Sequence, residues 1–312
     1  MNPSSGDLDS TQSYYEYNNA SGSYENKEEN SLSDLAVILW ILVIVIIFIA
    51  SCIGLVGNGY IIWLLGCQIK RNRFTTFILH LAIADFGYLA SIFIHYITIF
   101  TNIQEGGIFY HICVFFSHMM YINSSFLLTA ISIDRCVAVL FPIWHRCSRP
   151  KHLSSRVCVL LWISSFLLSG IRRVVKVFAS NSAFNFHFLV TATVSLPLIS
   201  ISTVILFIAM CLKTKRKNQG RLLLMILITL LCFLILAFPL SILAAIISFS
   251  GTKVAYKLKY PVIYSMLLAC LNSSINPVIY YLVGRRKGSK SKESVKVILQ
   301  KVFKEGEATE SN

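Results

Sequence analysis

Charge is scarce in this 312-residue chain. Asp, Glu, Lys and Arg make up 13% of it, against about a quarter in soluble domains, while 55% of the residues are hydrophobic and the mean hydropathy is +0.68. So little charge excludes an ordinary water-soluble domain. Catalytic patterns are missing too. There is no HExxH, no Gly-x-Ser-x-Gly and no Cys/His set at metal-ligand spacing, so the chain is expected not to be an enzyme. The first 33 residues are polar rather than basic and then apolar, and no cleavable signal peptide is visible in them. A transporter or channel is the competing class. It predicts inverted repeats with paired broken helices and midplane charges in both halves, but no internal repeat is found and the clear midplane acid is Asp85. The last apolar run has no central lysine to hold a retinal.

What is present is a series of apolar runs. A helix needs roughly 20 such residues to cross a bilayer, and lipid forces each crossing segment to satisfy its own backbone. Seven runs qualify, at about 35–65, 74–101, 108–141, 153–178, 186–212, 221–249 and 258–284. The expected fold is therefore an all-α membrane protein, a seven-transmembrane helix bundle with a short amphipathic cytoplasmic helix. Residues 1–33 are expected to be a disordered extracellular tail, residues 34–284 the membrane domain, and residues 285–312 the cytoplasmic amphipathic helix and tail.

Acid is scarcer than base, 14 residues against 28, for a net charge of +14. The basic residues cluster in alternate loops, at Lys70/Arg71/Arg73, Arg146/Arg149/Lys151, Lys213/Lys215/Arg216/Lys217 and Arg285/Arg286/Lys287, whereas the tail carries Asp7, Asp9, Glu16, Glu25, Glu28, Glu29 and Asp34 against Lys27. The expected topology has the N-terminus outside and the C-terminus inside a plasma membrane. The positive charge then faces anionic membrane lipid, with no call on nucleic acid. Asn19-Ala20-Ser21 is a glycosylation sequon on the correct side, and Tyr14, Tyr15 and Tyr17 lie near acids, either as part of a merely solubilising tail or as sulfation candidates. Ser289, Ser291 and Ser294 lie beside lysines as kinase targets.

Within the runs, polar residues mark candidate sites. Gly57-Asn58-Gly59 places an amide between small residues that admit a neighbouring helix. Asp85 lies deep in the second run and by default is functional and paired; Asn58, Ser124, Asn272 and Asn276 are its candidate partners. Two readings stand, a sodium or proton site and a protonated acid in a structural hydrogen-bond network. The third run ends in Asp134-Arg135, where a permanently charged guanidinium at a helix end is held by its neighbour in one state and released in another. Cys113, Phe116, Ser117 and Met120 recur at helical spacing nearer the start of that run, where they line a ligand cavity or pack in the core. Arg172, Arg173 and Lys176 end the fourth run, and their mutual repulsion points to an anion between them or to contact with headgroups or the acidic tail. Pro197 lies in the fifth run. Pro239 follows Ala237-Phe238 in the sixth and predicts a kink. The seventh holds the broken, polar segment Asn272–Tyr280.

Gly57-Asn58, Ala84-Asp85, Asp134-Arg135-Cys136, Trp162, Pro197, Phe233 with Pro239, and Asn276-Pro277-Val278-Ile279-Tyr280 together resemble the rhodopsin-like (class A) G-protein-coupled receptors. Ser132 to Pro150, and Glu293-Ser294-Val295-Lys296-Val297 with Phe303-Lys304-Glu305, look like the Mas-related receptors within that class; another class A subfamily is the alternative. The resemblance spans about residues 35–305. It implies a heterotrimeric G protein of Gq or Gi type and arrestin as cytoplasmic partners, and an extracellular peptide or small amphiphilic ligand, anionic if the basic cluster binds it. It further implies a role in sensory, itch or pain signalling. Asp134, Arg135, Asn276, Pro277 and Tyr280 would form the G-protein switch, and Asp85, Asn58, Ser124, Asn272 and Asn276 an allosteric sodium pocket, with no other metal or cofactor. The candidate ligand set is Cys113, Phe116, Ser117, Met120, Arg172, Arg173, Lys176, Ala237, Ser241, Tyr260 and Tyr264.

The chain departs from the wider class in three ways. Ala237 stands where the class has a tryptophan two residues before the sixth-helix proline, which is itself Mas-like. Of nine cysteines, Cys113 alone falls near the expected outer face, so the usual extracellular disulfide has no second partner. The acids that bind cationic ligands in some Mas-related members have no counterpart beside Arg172 and Arg173.

Overall fold

The computed structural model describes residues 8–69, 71–101, 107–150, 152–178, 186–212, 220–243, 246, 259–285 and 296–300. These residues are helical or lie in turns. In chain order they form α1 (Leu8–Trp63) with a π-helical turn at Leu64–Gln68, α2 (Arg73–Phe100), α3 (Ile108–Leu140), the short α4 (Pro142–Cys147), α5 (Leu153–Phe178), α6 (Phe186–Leu212), α7 (Gly220–Cys232) with a π-helical turn at Phe233–Ala237, and α8 (Lys259–Gly284). Helix resumes over 238–243 and reappears at 296–300. Among the described residues, seven helices are long and apolar enough to cross a membrane: Val37–Gln68, Arg73–Thr98, Ile108–Leu140, Leu153–Ile171, Thr193–Leu212, Leu222–Leu243 and Ile263–Gly284.

The chain divides into two compact units, Met1–Ile46 and Ile47–Asn312. In the first, the backbone is already helical at Leu8, where composition leads us to expect disorder through residue 33. The apolar segment that follows must be helical, and extending a nucleated helix is far less costly than starting one.

In the second unit, Ser and Thr side chains return their protons to carbonyls one turn back, which lets apolar helices carry hydroxyls. Ser125 bonds to the Tyr121 carbonyl, Thr129 to Ser125, Thr203 to Ile199 and Thr229 to Met225. Asn72 caps α2: its Oδ1 accepts from the Thr75 amide at 2.6 Å, and its own amide donates to Thr75 Oγ1 at 2.8 Å, a reciprocal pair that satisfies two donors at the helix start. α3 ends at Phe141 because Pro142 follows. The residue before a proline is pushed out of helical geometry, and Phe141 sits at φ −124°, ψ 63° while Pro142 opens α4.

Glycines set the closest approaches. A Cβ at Gly54 would clash with Leu89 Cδ1 and lie 3.0 Å from the Ser274 backbone, and one at Gly57 would lie 3.0 Å from Pro277 Cβ. These two residues, three apart on one face of α1, let it seat directly on the broken part of α8. α1 and α2 also stack Phe48 on Phe93 at 4.4 Å. α5 is tied to α2 by Trp162 Nε1, which donates to His80 Nδ1 at 3.1 Å. Large side chains facing away from the bundle, among them Ile53, Val56, Phe166, Ile201 and Phe207, are exposed, as lipid-facing surfaces are. Of the expected amphipathic helix, residues 296–300 are described: Ile298 and Leu299 are buried, and Lys296 Nζ donates to Gln68 Oε1 at 2.9 Å. Ser289, Ser291 and Ser294 lie outside the described residues.

Candidate functional site

The end of α3 carries the densest charge cluster among the described residues. Asp134 Oδ2 accepts from Arg135 Nε at 3.0 Å and also from Arg135 Nη2. Its other oxygen, Oδ1, is 2.6 Å from Arg149 Nη2 and 3.5 Å from His145 Nε2. One carboxylate thus lies between two guanidiniums whose side chains are 6% and 2% exposed. Arg149 also donates to His145 Nε2 at 2.6 Å and to Ser154 Oγ, at the start of α5, at 2.7 Å. Because that arginine donates, His145 Nε2 accepts and its proton sits on Nδ1. Arg73 of α2 reaches the His145 carbonyl at 3.2 Å, and the Arg135 guanidinium lies 4.7 Å above the Phe74 ring. The turn at Phe141–Pro142 folds α4 back so that His145 and Arg149 meet Asp134. A carboxylate so held fixes Arg135 in place while its partners stay put.

Asp85 is fully buried on α2. Its Oδ1 accepts from Ser124 Oγ of α3 at 2.8 Å and from Ser273 Oγ of α8 at 2.9 Å, and its Oδ2 from Asn276 Nδ2 at 2.7 Å. Ser124 and Asn276 were expected there, whereas Ser273 was missed. Asn58 is not on Asp85: its Nδ2 donates to the carbonyls of Gly54 and Ser273, both at 3.0 Å. Pro277 has no N–H, so the Ser273 carbonyl one turn back loses its helical donor, and Asn58 replaces it. The buried Asn272 Oδ1 and Asn276 Oδ1 have no hydrogen-bond partner among the described residues. Two unsatisfied acceptors on one face of α8, one turn apart and with Asn276 touching a carboxylate, fit a small hard cation or a water. Tyr280, one turn on, is buried with Ile78, Leu128 and Met225 around it.

At the other end of α3, Cys113 and Ser117 line a cavity of about 260 Å³ with His111 and His118 of the same helix, Ser91 and His95 of α2, and Met266 of α8. The rest of the expected ligand set is placed differently. Phe116 is 42% exposed and outside the lining, and Met120 is buried against Gly87. Ala237 and Ser241 are buried and engaged by Tyr121, whose hydroxyl donates to the Ala237 carbonyl at 2.7 Å and lies 3.0 Å from Ser241 Oγ. Tyr264 is exposed and does not line the cavity. Helical spacing alone gave these residues a common face without giving the rotation of that face. The histidines were missed, although three of the chain's 7 fall on this cavity. The side chains of Arg172, Arg173, Lys176, Tyr260 and Asn19 lie outside the described residues. Among the described residues none of the nine cysteines, Cys113 included, is in a disulfide.

Residues 57–280 match the family model described as 7 transmembrane receptor (rhodopsin family). The chain is 32% identical to the Homo sapiens Proto-oncogene Mas, over 88% of this chain and 86% of that one. It is 37% identical to the Rattus norvegicus Mas-related G-protein coupled receptor member H, over 81% and 80%. With the Homo sapiens Mas-related G-protein coupled receptor member X1 it shares 33%, over 82% and 81%.

Proposed function

The chain belongs to the rhodopsin family of seven-transmembrane receptors, in its Mas-related group, and from that membership we propose that it lies in the plasma membrane with its N-terminus outside, binds an extracellular peptide or small amphiphile, and activates a heterotrimeric G protein of Gq or Gi type. Arrestin is the second cytoplasmic partner, sensory, itch or pain signalling the setting, and Asn19 the glycosylated residue of the outer tail. The observation that carries this reading is the Asp134 clasp, which holds Arg135 and the α4 loop together. A ligand acts by preferring the state in which Arg135 is released and the sixth span has moved, and its differential affinity alone sets the shift.

Asn276, Pro277 and Tyr280 form the hinge of that movement: Asn276 ties α8 to Asp85, and the backbone at Pro277 is held by the side chain of Asn58 rather than by its own ladder. Asp85, Ser124, Ser273 and Asn276, with Asn272, would hold a sodium ion, which when bound supplies positive charge against the buried carboxylate. Arg172, Arg173 and Lys176 are the anchor for an anionic ligand.

The test is agonist-stimulated nucleotide exchange in membranes carrying the chain, with panels of anionic and of cationic peptides and amphiphiles. Activation by anionic members that is lost when Arg172, Arg173 and Lys176 become alanine is the expected result. Activation by cationic members that survives the triple change overturns the anchor. Arg135→Ala should abolish exchange at normal surface expression; full signalling by that variant would overturn the switch.

A further inference from the structure

We propose that Ser148 is a phosphorylation site, and that the phosphate it accepts draws Arg149 off Asp134 and so opens the clasp from the cytoplasmic side. The proposal rests on the receptor reading above, which puts α4 in the cytoplasm, and adds a covalent control that acts without a ligand. Ser148 ends α4: its amide donates to the Trp144 carbonyl at 2.9 Å and its backbone sits at φ −106°, ψ −7°. Its side chain is exposed, and Arg149 and Pro150 after it are non-helical, because a proline keeps the residue before it from continuing a helix. The surrounding sequence is Arg146-Cys147-Ser148-Arg149-Pro150-Lys151, with basic residues two before, one after and three after the serine. Such flanks suit a kinase whose substrate cleft is acidic. The neighbouring serines and threonines are engaged or helical. Thr75 and Thr76 bond to Asn72, Ser154 accepts from Arg149, and the exposed Ser155 lies within α5. In the transfer, Ser148 Oγ attacks the γ-phosphorus of ATP held by the kinase. The Oγ–P bond forms as the bond to the bridging oxygen breaks, ADP leaves, and the hydroxyl proton passes to the kinase's catalytic aspartate.

Among the described residues of the clasp, the three guanidiniums of Arg73, Arg135 and Arg149 meet the one carboxylate of Asp134 and the carbonyl of His145. A phosphoserine adds about −1.5 to −2 charges at neutral pH, close to that excess of positive charge. It would stand to Arg149 as Asp134 stands to Arg135, one residue before the guanidinium, and that spacing already supports a pair through Nε and Nη2. A phosphate at the surface accepts as a carboxylate does, with more charge, and it lets a guanidinium that is now 2% exposed regain water. Arg149 is tied to Asp134 at 2.6 Å, to Ser154 at 2.7 Å and to His145 at 2.6 Å. Turning toward the phosphate gives up these ties together, so α4 comes away from α3 and α5. A second force acts in the same direction. The phosphate sits at the carbonyl end of α4, where the partial negative charge of the helix repels an anion, and the turn it loosens carries His145. Asp134 and Arg135 are left paired in a site open to water, where an ion pair contributes little. Release of Arg135 thereby becomes easier.

The experiment uses the full chain in membranes, treated with ATP and either of two basic-residue-directed kinases, protein kinase C or protein kinase A, each checked on a reference peptide. Mass spectrometry of the loop peptide reads the phosphate on Ser148, and agonist-free nucleotide exchange and the unfolding midpoint are read on the same sample. Phosphate on Ser148 is expected, with exchange per receptor raised about threefold, a shift within the range of one hydrogen bond, and with a lower midpoint. Ser148→Ala should match the untreated parent and keep both readings after treatment, which separates Ser148 from the tail serines Ser289, Ser291 and Ser294. Ser148→Glu, which needs no kinase, should shift both readings in the same direction by less, and should add nothing in the Arg149→Met background. No phosphate on Ser148 with either kinase, while both label the reference peptide, overturns the site. Phosphate there with unchanged exchange and midpoint, or a Ser148→Glu shift equal in Arg149→Met and in the parent, overturns the contest for Arg149. Absence of exchange from every form, Asp134→Asn included, overturns the receptor reading itself; the midpoint, which needs no G protein, then still decides whether the phosphate unties the loop.

Discussion

Replacing Asp134 by asparagine takes the one negative charge from between two buried guanidiniums while keeping shape and one acceptor. Removing one partner of a buried ion pair costs about 3–5 kcal/mol, and here two cations lose it at once. They respond differently. Arg149 stays tied to His145 and Ser154, so its share appears as lost stability of the α4 loop. Arg135 sits at a helix end and swings free, so its share appears as a population. Hydrogen bonds to charged groups contribute about 1.5–3 kcal/mol, which is roughly a ten- to hundredfold change in the ratio of released to held receptor. A receptor with about 1% of its molecules released at rest then reaches about one in ten to one in two. Agonist-free nucleotide exchange, normalised to surface receptor, measures this directly. Arg149→Met separates the two terms. It leaves Arg135 on Asp134 and unties the loop from α5, so thermal stability should fall while exchange rises less than in Asp134→Asn. Exchange at or below the parent level in well-expressed Asp134→Asn would refute the holding role of that carboxylate.

Two further outcomes follow from the packing. Asp85→Asn should reduce the sodium dependence of agonist binding, and Ser273→Ala, which removes one of three donors to Asp85, should reduce it by less; unchanged dependence in Asp85→Asn would remove the ion from this site. Gly54→Ala should lower the yield of folded receptor, because its Cβ would clash with Leu89 and meet the Ser274 backbone at 3.0 Å, an overpacking that costs about 1–3 kcal/mol. Gly87→Ala meets the flexible side chain of Met120 and should be tolerated, so comparable surface loss in both would contradict the close approach of α1 and α8.

Sequence and structure agree most closely where a group is conspicuous in one dimension. An acid within an apolar run, an acid–arginine pair at its end and a proline beside an asparagine each demand a partner wherever the chain goes. Asp85 with Ser124 and Asn276, and Asp134 with Arg135, were legible for that reason. Arg149 was not, because in sequence it stands with Arg146 and Lys151 as one more basic loop residue. Its burial follows from the turn at Phe141–Pro142, which no periodicity reports. Asn58 looked like a partner for Asp85 because both needed one, yet the carbonyl left open by Pro277 is the nearer claim on its amide. Tyr121 and the cavity histidines lie among apolar and aromatic residues on helices whose rotation only the packed bundle fixes.

Along α3, Ser117 faces the cavity, Tyr121 the sixth span, Ser124 the buried carboxylate, and Asp134 and Arg135 the α4 loop. Eighteen residues separate Ser117 from Arg135, about 27 Å at the rise of an α-helix, with neither proline nor glycine between them. A helix with no weak point transmits little by bending, so a change at the cavity reaches Arg135 through the partners that α3 exchanges, chiefly the hinged sixth span and α8. Each such contact is small. One neutral hydrogen bond is worth about 1 kcal/mol, whereas driving a receptor from 1:99 to 99:1 takes about 5.5 kcal/mol. Neither the loss of the Tyr121 hydrogen bonds nor the loosening of the Asp134 clasp reaches that figure. Single substitutions at either should therefore leave receptors partly active at rest and still responsive to ligand, and the pair, 13 residues apart on a stiff helix, should act nearly additively.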